Sequence, residues 1–209
     1  MKQLTEIDSK KLLSQNDIPI PRNGLARNAL EARSLASSMW GLAVFKIMSP
    51  DIIHKSDFGA VVLNVDYRNS KVIYDELIAK AAKVNARVDG ILVEEMLYGH
   101  ELIIGLKQDP QFGQIIMVGL GGIYAEIYKD VSFRVSPITV SDAREMLKEL
   151  RGYKILTGAR GKEPADINKI TEIIVKVSKL KNIIELDINP LIVNSTSAVV
   201  ADSRIITES

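Results

Sequence analysis

Two lysines, a histidine and a glycine crowd into one connection of this chain: Lys46, His54, Lys55 and Gly59. The connection joins two apolar runs that read as strands, Leu42–Ile47 and Val61–Val65. A link between strands is normally short and polar. One with this much positive charge suits a loop that folds over a highly charged anion. Lys46 is the only charged residue in its apolar run. Its ammonium must snorkel, meet a phosphate, or pair with a carboxylate, for which Glu94 and Glu95 are the candidates. Gly59 lets backbone N–H groups approach an anion closely, and Lys55 adds a mobile positive charge. The imidazole of His54 can accept a phosphoryl group or act as a base near neutral pH. A loop histidine facing solvent is the plainer alternative.

A second group of chemistry-bearing residues lies near the C-terminus. Ile183–Val193 and Ala198–Ile206 read as a hairpin joined by Asn194-Ser195-Thr196-Ser197. In the register centred on Ser195-Thr196, Asn189 lies opposite Asp202, and Asp187 opposite Arg204. Opposed side chains have Cβ atoms about 4.5–5.5 Å apart. An amide carbonyl and a carboxylate at that separation can share one Mg²⁺, which prefers oxygen ligands and completes its shell with water and phosphate. Asp187, two residues before Asn189, points to the same face. Pro190 calls for an edge strand or a bulge at this point. An ordinary solvated polar face would carry the same residues.

The elements that must position these groups are helices mixed with short strands. The opening segment to Asn16-Asp17 reads as a short helix, and Pro19 and Pro21 then impose extended backbone. Asn28–Met39 has helical spacing with Asn28 as cap, and Gly41 ends it. A second helix lies within Tyr67–Val88, with Val72, Leu77, Ala81 and Val84 inward. Gly90–Met96 is a buried-looking strand. Three more strands are expected at Glu101–Leu106, Gln114–Val118 and Ile123–Tyr128, with turns at Asp109–Gly113 and Gly119–Gly122. Helices follow at Ser141–Leu150, capped by Ser141, and at Ala165–Leu180. The fold class is α+β. Two lobes, 1–90 and 91–209, would leave a cleft between them.

Composition narrows the function. The 209 residues include 27 Lys+Arg against 26 Asp+Glu, a net charge of +1, so there is no global attraction to nucleic acid or an anionic membrane. Hydrophobic residues at 46% supply a core. The absence of cysteine excludes disulfides, thiolate metal sites and cysteine nucleophiles. The N-terminus does not read as a signal peptide and no apolar stretch is bilayer-long, which fits a cytoplasmic protein. Gly119-Leu120-Gly121-Gly122 follows a strand, as dinucleotide loops do, but carries only a weak signal of one, because Tyr124 stands where the third glycine belongs. Gly158-Ala159-Arg160-Gly161-Lys162 is not a P-loop, because Glu163 replaces the hydroxyl residue.

Taken in order, the motifs resemble a known family. Lys46-Ile47, Ser49-Pro50-Asp51-Ile52 and His54-Lys55-Ser56-Asp57 are followed by Asp109-Pro110-Gln111-Phe112-Gly113 and Gly119-Leu120-Gly121-Gly122-Ile123. Lys129-Asp130-Val131-Ser132-Phe133-Arg134 and Leu186-Asp187-Ile188-Asn189-Pro190-Leu191 complete the set. The pattern is similar to the ATP-grasp domain of the nucleoside-diphosphate-forming acyl-CoA synthetases, in particular the β subunits of the ADP-forming acetyl-CoA synthetases. It is more distantly similar to succinyl-CoA synthetase β subunits.

The resemblance implies an ATP-grasp fold with ATP or ADP between two α+β lobes. It makes Lys46 a phosphate-binding lysine and the loop around Gly59, with Lys55, a flap over the phosphates. Glu94, Glu95 and Met96 become the adenine hinge, and Glu101 and Asp187 acidic positions near the nucleotide. Asn189 and Asp202 become the Mg²⁺ ligands, and His54 a second phosphoryl carrier. The reaction implied is acyl-CoA + ADP + phosphate giving acid + CoA + ATP, by way of an acyl phosphate and a phosphohistidine. A CoA-binding α subunit with the main phosphohistidine would be the partner, in an α₂β₂ assembly. Two departures stand out: Ala60 where the family usually has a second glycine, and Glu94 where glutamine is commoner. Two rival readings are a non-catalytic nucleotide-sensing module and an ATP-grasp ligase joining a carboxylate to an amine.

Overall fold

The computed structural model describes residues 1–52, 58–122, 129–159 and 163–208. His54 and Lys55, the expected strand Ile123–Tyr128 and residues 160–162 lie outside them. The chain divides into two compact units, Pro21–Met96 and the pair Met1–Ile20 with Leu97–Ser209. The boundary expected near residue 90 thus falls after Met96, and the first twenty residues join the C-terminal part rather than the N-terminal lobe.

The cause of that assignment is a non-local pairing. Strand β1 (Lys2–Gln3) pairs antiparallel with β11 (Ser203–Thr207), and Leu4 N–H donates to Ile205 O. Helix α1 (Glu6–Gln15), capped by the Thr5 hydroxyl, places the fully buried Leu13 in the larger core.

The smaller unit is a four-stranded antiparallel sheet in the order β2 (Asn23–Ala26), β5 (Gly90–Glu95), β3 (Ala43–Met48), β4 (Val61–Val65). Among the described residues, two long helices pack on it. Asn28 caps α2 (Ala29–Ser38), as expected, by accepting from Glu31 N–H. In α3 (Ser70–Ala82) the buried face is Ser70, Tyr74, Leu77 and Ala81, a repeat of i, i+4, i+7 and i+11. Val72 and Val84 are exposed rather than inward. Val72 sits far round the helix from that stripe, and Val84 follows the helix end. Strand alternation sends Ala43, Phe45 and Ile47 of β3, with Ile91 and Val93 of β5, into the core. Val44, Lys46, Met48, Leu92 and Glu94 occupy the alternate positions and are buried as well.

The larger unit carries a seven-stranded sheet, β1–β11–β9–β6–β7–β8, with β10 (Ala198–Val200) also on β9. Its long strands are β6 (His100–Asp109), β7 (Gly113–Leu120) and β9 (Ile183–Val193). Edge strand β8 (Val131–Val135) is not among the elements expected from the sequence. Helices α4 (Val140–Glu149), α5 (Tyr153–Leu156) and α6 (Ile167–Ser178) follow β8 in the chain. The cap of α4 is Thr139, not Ser141: Thr139 and Asp142 form a capping box, which leaves Ser141 inside the first turn. In α6 the stripe Ile170, Ile173, Ile174 and Val177 packs into the core. Burying each such side chain stabilises by roughly 1.5–3 kcal/mol.

Candidate functional site

The C-terminal hairpin has the register that its loop demands. Val193 faces Ala198, Ile188 faces Ser203, and Asp187 faces Arg204. Asn189 N–H donates to Asp202 O at 3.2 Å, so the expected opposition of these two residues holds. Pro190 marks a bulge rather than an edge, since β9 lies between β6 and the β10–β11 side. Against β6 the pairing moves from Leu102↔Leu191 to Ile104↔Ile188, which sets Asn189 and Pro190 together opposite Ile103. The buried positions shift accordingly. They run Leu186, Ile188, then Leu191, Val193 on one strand, and Ala198, Val200, then Ser203, Ile205 on the other. This kink ends β10, splits the expected strand Ala198–Ile206 in two, and leaves Asn189 exposed and Asp202 half-buried.

An amide carbonyl and a carboxylate are hard oxygen donors, so Asn189 and Asp202 fit Mg²⁺ better than a soft metal. Among the described residues no group of three or more His, Asp or Glu could hold a metal ion. A cation at this pair would complete its shell with water and phosphate, as Mg²⁺ does. Asp187 is half-buried, and that desolvation raises its pKa above 3.8, with Arg204 opposing and Glu185 adding to the rise. Arg204 is itself tied to Glu185 at 2.6 Å. Beside Asp187 opens a concavity of about 470 Å³, whose lining includes Gly105, Lys107, Met117, Phe133 and Arg204.

The glycine run is built for close packing against β6. Gly121 N–H donates to Glu101 O at 2.7 Å, and a Cβ at Gly121 would stand 2.8 Å from that of Glu101. Glu101 itself is exposed, with Oε2 3.5 Å from where a Gly122 side chain would begin. A glycine pair therefore lies against this acidic side chain, and any larger residue at Gly121 would push it away.

In the smaller unit, Lys46 takes the carboxylate partner. Its Nζ lies 2.9 Å from Glu94 Oε2, with both side chains almost fully buried. Lys46 faces Leu92 and Glu94 faces Val44, so the pair is diagonal on one sheet face. Glu95 points to a different cation, accepting from Arg22 N–H and Nε–H. Arg22 in turn lies over the exposed Trp40 ring, 4.8 Å from its centroid. The N–H groups of Glu95 and Met96 donate to Arg22 O and Leu42 O. Any role of these two residues as a hinge must therefore use other groups. Gly59 has φ +64, a left-handed conformation that favours glycine, and a Cβ there would displace the Lys80 ammonium, 2.3 Å away. Ala60 is fully buried in the core, where its methyl fills space a glycine would leave empty.

One pair escapes the sequence reading. Lys10 and Glu6 of α1 are both buried, joined at 2.9 Å, and Lys10 also donates to Ala201 O at 2.7 Å. Their i, i+4 spacing was the available signal, but that spacing is also that of an ordinary exposed helix pair.

The ATP-grasp domain family matches residues 1–207. An ADP-forming acetate–CoA ligase II β subunit from Pyrococcus furiosus is 44% identical over 97% of this chain and 91% of its own length. An ADP-forming acetate–CoA ligase I from Archaeoglobus fulgidus is 43% identical over 93% of this chain, which spans 30% of that longer relative. Among solved structures, the Ca. Korarchaeum cryptofilum dinucleotide-forming acetyl-coenzyme A synthetase 1, in complex with coenzyme A, Ca-AMPCP and HgCl⁺, is 40% identical with a TM-score of 0.94. That likeness covers 99% of this chain and 94% of the other. No helix among the described residues is long and apolar enough to cross a membrane. With fold, motifs and relatives in agreement, the chain belongs to the ATP-grasp domain family, alongside the β subunits and equivalent segments of ADP-forming acetate–CoA ligases.

Proposed function

We propose that this chain is the nucleotide-binding β subunit of a cytoplasmic, ADP-forming acyl-CoA synthetase, with acetyl-CoA as the substrate its relatives suggest. It transfers a phosphoryl group between a phosphohistidine and ADP, within the reversible reaction acyl-CoA + ADP + phosphate giving acid + CoA + ATP. The observation that carries this reading is the oxygen pair Asn189 and Asp202, opposed at the hairpin kink.

Phosphoryl transfer asks chiefly for positioning and for charge aimed at the phosphates. Lys46 contributes an ammonium held in place by Glu94. Gly59 gives the chain its turn after the phosphate loop, to which His54 and Lys55 belong by sequence. Asn189 and Asp202 would hold Mg²⁺, which when bound neutralises phosphate charge. Glu101, Asp187 and the Glu94-Glu95-Met96 segment border the nucleotide in this reading, and His54 relays the phosphoryl group. The partner is a CoA-binding α subunit that carries the main phosphohistidine, in an α₂β₂ assembly.

The test is ADP-dependent discharge of a phosphorylated α subunit. The expected outcome is loss of label from the histidine with stoichiometric ATP. Nucleotide binding without discharge, with the α subunit present, would replace catalysis by nucleotide sensing. Turnover of an acid and an amine without the α subunit would instead make the chain a carboxylate–amine ligase.

A further inference from the structure

Asn194 follows β9 and does two separate things with the two ends of its side chain. Its Oδ1 accepts from the N–H and hydroxyl of Thr196, at 2.9 and 3.1 Å, and from the N–H and hydroxyl of Ser197, at 2.8 and 3.0 Å. These bonds close the turn into β10. Its Nδ2 donates in another direction, to Tyr98 O at 3.0 Å. The two ends cannot be exchanged, because a reversed amide would set its NH₂ against two backbone N–H groups and its oxygen against a carbonyl.

The turn alone does not call for an amide. An aspartate closes such a turn equally well, since its carboxylate accepts the same N–H and O–H groups. What an aspartate cannot do is donate to Tyr98 O. Tyr98 belongs to Leu97–Gly99, the three residues that lead into β6. They press on the end of β9, where a Cβ at Gly99 would stand 2.2 Å from Val193 O. His100 and Glu101 then pair with Val193 and Ile192. Asn194 is itself held from the helix side: its carbonyl accepts from Asp166 N–H at 2.8 Å, and Asp166 caps α6. Tyr98 has a further interaction besides, so loss of the amide should loosen this stretch without releasing it.

We propose that Asn194 is a positioning residue for nucleotide binding: its amide holds the Tyr98 carbonyl and so fixes the stretch of chain that carries Glu101. The inference rests on the nucleotide reading given above, in which Glu94-Glu95-Met96 precede this stretch and Glu101 ends it.

Two variants separate the two ends of the side chain. Asn194→Asp keeps the acceptor and removes the donor to Tyr98 O. Thr196→Ala/Ser197→Ala removes two donors to Oδ1 and keeps the bond to Tyr98. ADP binding to the full chain with Mg²⁺ present is measured by calorimetry, and hydrogen exchange is followed across residues 97–101. Asn194→Asp should bind ADP about 3–10-fold more weakly, with faster exchange across 97–101 and unchanged exchange in α6. With the phosphorylated α subunit its KM for ADP should rise by the same factor at unchanged kcat. Thr196→Ala/Ser197→Ala should keep the ADP affinity of the wild type.

Wild-type ADP affinity in Asn194→Asp would overturn the inference, and so would wild-type exchange across 97–101. An equal loss of affinity in Thr196→Ala/Ser197→Ala would also overturn it, since turn closure and not the amide would then be responsible. Should the aspartate variant not fold, Asn194→Ala takes its place, and an ADP affinity equal to that of Thr196→Ala/Ser197→Ala overturns the inference. A wild-type chain that binds no ADP would sink the nucleotide reading itself, and the role of Asn194 with it.

Discussion

Among the described residues, each unit of this chain buries a lysine–glutamate pair, and the two are built differently. Lys46 and Glu94 come from neighbouring strands and meet diagonally on a sheet face. Lys10 and Glu6 come from one turn of one helix, and the ammonium is turned to a backbone carbonyl. In the function proposed above, the first arrangement holds the ammonium that meets the nucleotide phosphates. The second also sends a hydrogen bond to the main chain. Residue type and burial are the same in both, so neither distinguishes an ammonium that meets a ligand from one that bonds to the main chain.

Breaking the first pair should have the largest effect. Lys46→Ala is expected to slow ADP-dependent discharge of the phosphorylated α subunit about 10²–10³-fold. It should also cost about 3–5 kcal/mol by urea unfolding, because Glu94 loses its buried cation. Lys46→Ala/Glu94→Gln should regain most of the stability and none of the rate. Rate recovery in the double variant would show that the lysine serves only its carboxylate.

Asp202→Asn should raise the Mg²⁺ concentration for half-maximal discharge about tenfold, with the unfolding midpoint nearly unchanged. An unaltered Mg²⁺ requirement would count against Asn189 and Asp202 as the ligands of the cation. The double variant Glu6→Gln/Lys10→Met should lose about 1–3 kcal/mol in urea, because Ala201 O loses the Lys10 donor.

The smallest effect concerns Asp187, beside the kink. Burial raises its folded-state pKa above 3.8, so the folded chain holds this proton more tightly than the unfolded chain. Its contribution to stability is therefore fullest below pH 3.8 and is lost as pH rises through the window above that value. Asp187→Asn removes this loss. The variant should gain stability relative to the wild type between acid and neutral pH, read as a difference in urea midpoints. A gain in the opposite direction would mean that the Arg204 charge outweighs desolvation.

Local chemistry made much of the site legible. The four-residue loop Asn194–Ser197 and the two-residue pleat period are enough to place Asn189 opposite Asp202 and Asp187 opposite Arg204. Pro190 announced an irregularity, though not which kind. Glu94 was one of two carboxylates named for Lys46. The cap at Thr139 was also readable, as Thr-x-x-Asp, but Ser141 competed for it. Other features were hidden because they depend on distant partners. Residues 1–20 carry no local sign that β1 will pair with β11. The inward face of α3 depends on which sheet it meets, and so Val72 was misplaced.

The sequence by itself determined the pieces whose causes lie within a few residues: caps, turns, strand alternation, the hairpin register and the order of the family motifs. Tertiary structure alone decided where the first helix docks, that Lys10 and Glu6 are buried, and that the Ala201 carbonyl takes a hydrogen bond from Lys10. The physical reason is reach. Backbone dihedrals and pleat period act between neighbours, whereas burial and the loss of water belong to a surface that exists only after residues nearly two hundred positions apart have met.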